Sequence, residues 1–336
     1  MTQDALRFGL FIPQGWRLDL VGIDPSEQWG RMREVAAAAD AGTWDSVWVY
    51  DHMHTTPQPT SEATHEAWTL MAALAASTER VRLGQMCTCI GYRNPALLAK
   101  IAATVDVISG GRLEFGIGAG WYEHEWRAYG YGFPGVGDRI SALRDGVQII
   151  QRLWAEGEAT LESQTFTVDG AICRPQPLQL GRDGRPRIPT WIAGGGEQRT
   201  LRYAAKWADA TNFGGSPEQF ARKRDILHGH LDREGRDPAE VRLTSNLNIV
   251  VRETEAEARR VVDEVNARAD SAMPAAHAGT GFSVNGAAVG TPQQVLDQVG
   301  ALRDAGLGTL IAYMPDVAYD RTGMELFERE VMPQLA

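Results

Sequence analysis

Leu113-Glu-Phe-Gly-Ile-Gly118 is a short run of apolar and small residues, and runs of this kind decide the fold. Similar runs, rich in β-branched and aromatic residues, recur at 8–13, 46–50, 81–87, 190–194, 210–214, 243–251 and 309–314. Most are too continuous for strands that expose one face to water. They therefore indicate strands buried on both faces, as in a parallel sheet.

Helical patterns separate these strands, at 26–41, 65–77, 95–108, 139–154, 197–207, 217–234, 254–271, 292–305 and 323–332. Asn94-Pro95, Ser216-Pro217 and Thr291-Pro292 each place a capping side chain before a proline at the first helical position. Eight strands, each followed by a helix, predict an α/β fold of the (β/α)8 TIM-barrel type. We expect residues 1–336 to form this barrel as a single domain.

Three stretches interrupt the alternation, near 119–137, 160–189 and 273–290, and each is rich in Gly, Pro or aromatic residues. Barrel enzymes build their active sites from loops at the carboxyl ends of the strands. We therefore expect these stretches to be loop insertions at the C-terminal face of the strands, where they would form walls or lids for a substrate.

The overall charge and the cysteine content exclude several classes of protein. The formal net charge of −10 argues against a nucleic-acid partner, which would need a basic face. Three cysteines cannot build a disulfide framework, and their odd number fits a reducing compartment. No apolar run approaches the roughly 18 residues of a membrane span. We expect a cytoplasmic protein with no membrane partner.

Gly194-Gly195-Gly196 follows one predicted strand and precedes a predicted helix, with Arg199 inside that helix. Glycine N–H groups at a helix N-terminus can bind a phosphate, and Arg199 would add a charge-assisted contact. The alternative is a tight turn that needs positive φ. The Gly116-x-Gly118-x-Gly120 run lacks the acidic residue of a dinucleotide fingerprint, so at Gly118 we expect a flat ligand to approach the backbone.

Two motifs, each with a pair of potential metal ligands, make a metal site an alternative interpretation. His52-x-His54 follows a predicted strand, as in metal-dependent barrel hydrolases, but the later strand ends supply no further histidine. Cys87-x-Cys89 has no second thiol pair nearby, so these cysteines are better interpreted as small buried residues. We expect no metal, with the hydrolase kept as a further alternative.

Five segments together resemble the luciferase-like superfamily. They are Phe8-Gly-Leu-Phe-Ile-Pro13, Ser46-Val-Trp-Val-Tyr-Asp-His52, Arg93-Asn-Pro-Ala-Leu-Leu-Ala-Lys100, Ile108-Ser-Gly-Gly-Arg-Leu-Glu-Phe-Gly-Ile-Gly-Ala-Gly-Trp121 and Trp191-Ile-Ala-Gly-Gly-Gly196. The resemblance spans nearly the whole chain and is most specific from Arg93 to Trp121.

The resemblance implies a cofactor, either FMN or the deazaflavin coenzyme F420, in the mouth of the barrel. It places the cofactor phosphate against Gly194–Gly196 and Asp51 and His52 near the ring system. It also implies a non-prolyl cis peptide at about Met86–Cys87, although Met-Cys-Thr-Cys here replaces the usual small residues. The other residues expected around the cofactor are Thr88, Cys89, Gly118, Trp121, His124 and Arg199. A homodimer is expected by resemblance.

The compact chain and the Asp51-His52 pair look more like the deazaflavin branch of the family. A deazaflavin carries a hydride and does not activate oxygen, so the protein would be an F420-dependent reductase or dehydrogenase acting on a small organic substrate. FMN is the alternative cofactor and would make it a luciferase-like monooxygenase. A protein that binds the flavin or deazaflavin without catalysis also stays open.

A mechanism follows as a hypothesis. The substrate stacks on the exposed face of the ring, beneath Trp16, Trp121 and Tyr122. His52 is the expected proton donor or acceptor, because imidazole titrates nearest to neutral pH. Glu125 and His124 are the second choices for this role.

Overall fold

The computed structural model describes residues 5–274 and 286–335. Its strands are β1 Arg7–Phe11, β2 Ser46–Val49, β3 Arg82–Gln85, β4 Thr88–Cys89, β5 Leu113–Gly118, β6 Glu158–Glu162, β7 Thr167–Ile172, β8 Thr190–Ala193, β9 Ala210–Asn212, β10 Arg242–Val251, β11 Ala288–Gly290 and β12 Thr309–Tyr313. Its helices are α1 Pro25–Ala41, α2 Ala67–Ser77, α3 Pro95–Ile108, α4 Glu123–Ala128, α5 Val136–Glu156, α6 Thr200–Trp207, α7 Pro217–Arg233, α8 Glu255–Ala272, α9 Pro292–Asp304 and α10 Thr322–Leu326.

The main sheet has the strand order β1-β2-β3-β5-β8-β9-β10-β12, and β12 pairs in parallel with β1. Each of the eight predicted runs overlaps one of these strands. The register is parallel between β1 and β2, with Gly9 opposite Ser46, and between β5 and β8, with Phe115 opposite Thr190. The predicted (β/α)8 TIM-barrel class is confirmed. All six residues of β5 are buried, as expected for a strand covered on both faces.

Helix starts follow the predicted cap chemistry. The Asn94 side chain accepts hydrogen bonds from the amides of Ala96 and Leu97 at the start of α3. Thr254 and Thr291 form capping boxes at the starts of α8 and α9. Within the described residues, none of the helices is long and apolar enough to cross a bilayer.

The chain divides into two compact units. Unit 1 comprises 1–66, 213–225 and 242–336, and unit 2 comprises 67–212 and 226–241. In unit 1, the Phe327 ring packs edge-on against Phe8 and nearly parallel to Trp44, with centroids 5.7 Å apart in both pairs. In unit 2, Phe115 packs edge-on against Trp154 at 5.0 Å. The assignment of 1–336 to a single domain stays a prediction.

The three predicted insertions have different outcomes. The 119–137 stretch follows β5 directly and contains α4, so it lies at a strand's carboxyl end as expected. The 160–189 stretch instead follows α5, forms the antiparallel hairpin β6–β7 and leads into the amino end of β8. Its predicted place at the carboxyl end of a strand was therefore wrong, because the helix ends before the insertion begins. Most of the 273–290 stretch lies outside the described residues.

Candidate active site

The segment after β2 places a histidine against an indole in unit 1. Asp51 is buried and His52 is half-buried. The His52 and Trp16 rings are stacked, with centroids 4.1 Å apart and planes 3° from parallel. Trp16 is itself buried and packs against Tyr50 at 4.3 Å. This packing restricts the orientation of the imidazole.

Beside Trp16, unit 1 holds a cluster of buried and half-buried polar side chains that the sequence did not predict. Arg17 Nη1 donates to Asn248 Oδ1 at 2.7 Å, and its guanidinium lies 4.4 Å over the Tyr313 ring. Asp19 Oδ1 accepts the Gly15 N–H at 2.7 Å. Burial raises the pKa of Asp19 to about 6, against the opposing effects of the Gly15 hydrogen bond and the Arg17 charge. Burial also raises the pKa of Tyr313.

In unit 2, the peptide bond between Met86 and Cys87 is cis, as predicted. Thr88 Oγ1 donates to Gln85 Oε1 at 2.7 Å, Cys87 is half-buried and Cys89 is buried. Two glycines of β5 make room for this turn. A Cβ on Gly116 would lie 1.9 Å from the Gln85 carbonyl oxygen, and one on Gly118 would lie 2.5 Å from Cys87 Sγ. The two glycines therefore allow the turn after β3 to lie close to the backbone of β5, and the flat ligand expected at Gly118 stays a prediction.

The segment after β5 places Glu125 apart from Trp121, Tyr122 and His124, which the sequence had grouped with it. Trp121 is 60% exposed and stacks on Tyr122 at 5.2 Å, while His124 lies 6.0 Å from Tyr122 and is exposed. Glu125 is fully buried, and its Oε2 accepts the Tyr92 hydroxyl at 2.9 Å. Burial, together with the Glu125 charge, raises the pKa of Tyr122. Trp121, Tyr122 and His124 thus share a surface, whereas Glu125 points into the interior.

The glycine loop after β8 presents its backbone. Gly194 has φ +124° and donates its amide to the Asn212 carbonyl at 2.9 Å. Within residues 5–274 and 286–335, the amides of Gly195 and Gly196 donate to no protein acceptor. Gly196 is exposed and Gly195 is half-buried. Free N–H groups on an accessible loop suit an anion such as phosphate.

Arg199 lies next to this loop, but not inside a helix as predicted. Helix α6 starts at Thr200, three residues later than expected, and Arg199 is its exposed N-cap residue. The difference arises because residues 197–199 form a turn after the glycines. Arg199 also reaches toward the start of α5, since a Cβ on Gly137 would lie 3.8 Å from its Nη1.

Among the described residues, no group of three or more His, Cys, Asp or Glu side chains is arranged to hold a metal ion. Among the described residues, Cys87, Cys89 and Cys173 form no disulfide bond. Cys89 is buried and Cys87 is half-buried, and the interpretation of the Cys87-x-Cys89 pair as small packing residues stays a prediction.

The strand order and the turns described above define a class of α/β barrel with a cis peptide after the third strand. Within that class, the chain belongs to the luciferase-like monooxygenase family, whose model matches residues 6–309. The family and the fold that the sequence resemblance implied are therefore confirmed.

Relatives within this family carry out different chemistries. The chain is 25% identical to an FMNH2-dependent dimethylsulfone monooxygenase of Pseudomonas fluorescens, over 99% of this chain and 95% of the relative. It is 29% identical to an F420-dependent glucose-6-phosphate dehydrogenase of Rhodococcus erythropolis, over 92% of this chain and 95% of the relative. Both relatives are oxidoreductases, which supports the assignment of this chain to that class.

A solved structure of similar fold is an F420-dependent secondary alcohol dehydrogenase in complex with an F420-acetone adduct. It aligns with a TM-score of 0.77 and 20% identity over 99% of both chains. This similarity supports the barrel fold across the chain.

Proposed function

We propose that this protein is an F420-dependent oxidoreductase, a reductase or dehydrogenase that transfers a hydride between the deazaflavin and a small organic substrate. The observation that carries the proposal is the stacked Trp16–His52 pair after the ends of β1 and β2. Hydride transfer to a carbonyl carbon requires a proton on the oxygen, and the reverse reaction requires its removal. A partly accessible imidazole in a fixed plane suits both directions.

The residues of the glycine loop fit a phosphate-bearing cofactor. The Gly195 and Gly196 amides have no protein acceptor within the described residues, and an anion would satisfy both. Arg199 would add a charge-assisted contact. Together with Gly194, which shapes the turn, these residues are our candidates for holding the phosphate.

The ring system would be held by backbone turns and a few side chains. In unit 2 the candidates are the cis turn at Met86–Cys87, with Thr88, Cys89, Gly118, Trp121 and His124. In unit 1 the candidate is Asp51, which is buried directly before His52.

When bound, the cofactor would supply the hydride chemistry, and the protein would supply orientation, exclusion of water and proton transfer. His52 is proposed to exchange the proton through its imidazole. Trp16, Trp121 and Tyr122 are proposed to cover the substrate with aromatic surface. Glu125, the second candidate for proton transfer, is buried against Tyr92, and we propose that it supports the segment after β5.

FMN is the second candidate cofactor, and a monooxygenase the second candidate function. This alternative is favoured by the similarity over nearly the whole chain to an FMNH2-dependent enzyme. The phosphate-binding residues would be the same for both cofactors, so the glycine loop does not discriminate between them. A homodimer also stays a prediction from the family resemblance.

The discriminating experiment is a fluorescence titration of the cofactor-free protein with F420 and, separately, with FMN. Micromolar or tighter binding of F420, with FMN at least tenfold weaker, is the expected result. The reverse preference would replace the proposal by the monooxygenase. Binding of neither cofactor would reject both.

The same titration with Arg199→Met tests the phosphate assignment. Loss of one charge-assisted contact should weaken cofactor binding about tenfold, equivalent to roughly 1.4 kcal/mol. Arg202→Met is the matched control, because Arg202 is an exposed arginine on the same helix α6. Equal affinities in the two variants would remove Arg199 from the phosphate site.

A further inference from the structure

Unit 1 contains a cavity of about 160 Å³ that the proposed cofactor residues do not use. Its lining includes the polar side chains of Arg17, Asp19, Asn248, Arg268 and Tyr313. Arg17 follows β1, and Tyr313 is the last residue of β12. The cavity therefore opens at the carboxyl ends of barrel strands, where this fold positions its chemistry.

Two guanidinium groups line this cavity, and both are held in place by neighbours. Arg17 is fixed by its hydrogen bond to Asn248 and by the Tyr313 ring beneath it. Arg268, on α8, lies 4.1 Å over the Tyr319 ring. Both arginines are half-buried, so their charges are partly desolvated. Fixed and partly desolvated guanidinium groups bind anions more strongly than mobile surface arginines.

The charge of the lining is positive by one unit. Among the lining residues, Arg17 and Arg268 are the cations and Asp19 is the anion. Tyr313 and Asn248 add neutral polar groups on the same wall. A cavity of about 160 Å³ corresponds to about five water molecules at roughly 30 Å³ each. It can hold a carboxylate or phosphate group with a few attached carbons.

One residue of the cavity lining also lies near the residues proposed for chemistry. The Arg17 guanidinium lies 5.6 Å from the centroid of the Trp16 ring, and Trp16 stacks on His52. Trp16 and His52 are not among the lining residues, so a substrate bound at Arg17 must extend beyond the cavity to reach His52. The candidate charge-recognition site and the proposed proton-transfer residue thus lie within one unit.

We propose that this cavity, which we call the arginine pocket, binds the anionic group of the substrate. The substrate class is then a small organic carboxylate or phosphate ester. This inference rests on the proposed oxidoreductase function, because it assigns the pocket to the substrate of that reaction. Arg17 and Arg268 are the specificity-determining residues.

The test is calorimetric titration of the purified protein at pH 7.5 with propionate and with inorganic phosphate, and with propionamide as the neutral isostere of propionate. We expect at least one of the two anions to bind and, if that anion is propionate, propionamide to bind at least tenfold more weakly. Binding of propionate alone identifies a carboxylate pocket, and binding of phosphate alone a phosphate pocket. Failure of both anions to bind at 50 mM would overturn the proposal.

Variants locate the binding in the pocket. Arg17→Met and Arg268→Met should each weaken anion binding at least tenfold. Arg259→Met is the matched control, because it removes the same charge from an exposed position on α8 that pairs with Glu255. Equal loss of affinity in all three variants would show a nonspecific charge effect and overturn the assignment.

A variant with the opposite effect separates recognition from loss of folding. Asp19→Asn removes the carboxylate from the lining and should tighten anion binding at least threefold at pH 7.5, because like-charge repulsion is removed. A misfolded protein would not bind more tightly. Unchanged or weaker binding in this variant contradicts the electrostatic account.

A final titration distinguishes this proposal from the cofactor assignment. The protein loaded with F420 should bind the anion with unchanged affinity, since the pocket belongs to the substrate. Loss of anion binding on loading would assign the pocket to the cofactor and overturn the substrate role. If F420 itself fails to bind while the anion still does, the proposed cofactor is wrong and the anion pocket stands.

Discussion

The glycine loop of unit 2 and the aromatic cluster of unit 1 prepare binding in opposite ways. At Gly194–Gly196 the chain has no side chains, and within the described residues the Gly195 and Gly196 amides donate to no protein acceptor. Around Trp16 the binding groups are side chains: the Trp16 and His52 rings are stacked, and the Arg17 guanidinium lies over the Tyr313 ring. Backbone recognition tolerates any phosphate-bearing ligand, whereas side-chain recognition selects one. We therefore expect the first region to control affinity for the cofactor and the second to control turnover and substrate choice.

The largest expected effect is on turnover. His52→Ala should lower kcat by about 10²–10⁴-fold, the usual range for loss of a general acid or base. The dissociation constant of the cofactor should change less than about threefold. Steady-state kinetics and cofactor titration of the same preparation give both values. His228→Ala, on α7, is the control and should leave kcat unchanged, and a similar loss in both variants would contradict the role of His52.

The next effect concerns the backbone contact in unit 2. Gly116→Ala would place a Cβ 1.9 Å from the Gln85 carbonyl oxygen, so β5 or the turn after β3 must move. The free energy of unfolding should fall by about 3 kcal/mol or more, as for other overpacked cores. Chemical denaturation measures this change. Gly229→Ala is the control, because a Cβ there meets nothing within 4 Å inside α7, and its effect should stay within about 1 kcal/mol.

The polar cluster of unit 1 should instead limit stability in a pH-dependent way. Burial raises the pKa of Asp19 from 3.8 to about 6, so the folded state holds this proton more tightly than the unfolded state. Stability is therefore lost as pH rises through about 6 and is unaffected by this group below about pH 4. Asp19→Asn should raise the free energy of unfolding by up to about 3 kcal/mol at pH 7.5.

The Asp19→Asn gain should shrink as the pH is lowered from 7.5 to 4.5. Denaturation curves of both proteins at several pH values give the difference. A gain that stays constant with pH would show that the substitution acts through packing rather than through the buried charge.

The smallest effect tests whether Glu125 belongs to the chemistry or to the scaffold. Tyr92→Phe removes a hydroxyl that donates to the buried Glu125 carboxylate, and should cost about 1–2 kcal/mol of stability. At a temperature where the variant is folded, kcat should change less than about threefold. A large fall in kcat with unchanged stability would instead assign Glu125 to proton transfer.

The strands were predictable because a strand that is buried on both faces has a continuous apolar run in its sequence. A run such as 113–118 contains few residues that water could solvate, so the pattern and the fold follow from the same constraint. The helix starts were predictable for a similar reason, since the orphan amides at Asn94 and Thr291 need a nearby side chain. The cis peptide followed only from the resemblance to a family.

The errors occurred where neighbours along the chain do not decide the structure. Residues 197–199 have helical composition, yet they complete the turn that follows the glycines, and α6 begins at Thr200. The hairpin at β6–β7 contains the residues of a plausible active-site loop, but its place after α5 puts it before a strand. Glu125 was predicted beside His124, but adjacent residues of a helix point in different directions, and Glu125 is buried in the interior.

By itself, the sequence determined the barrel, its family and the two strand ends at His52 and Gly194–Gly196. Each of these features can be recognised from residues that are neighbours along the chain. The arginine pocket was decided only by the tertiary structure. Its residues include Arg17, Asn248, Arg268 and Tyr313, which are separated by up to 296 positions (313 − 17) and are brought together in unit 1. No local pattern could show that a half-buried guanidinium meets a tyrosine ring and an asparagine from distant strands, since charge recognition depends on distance in space rather than in sequence.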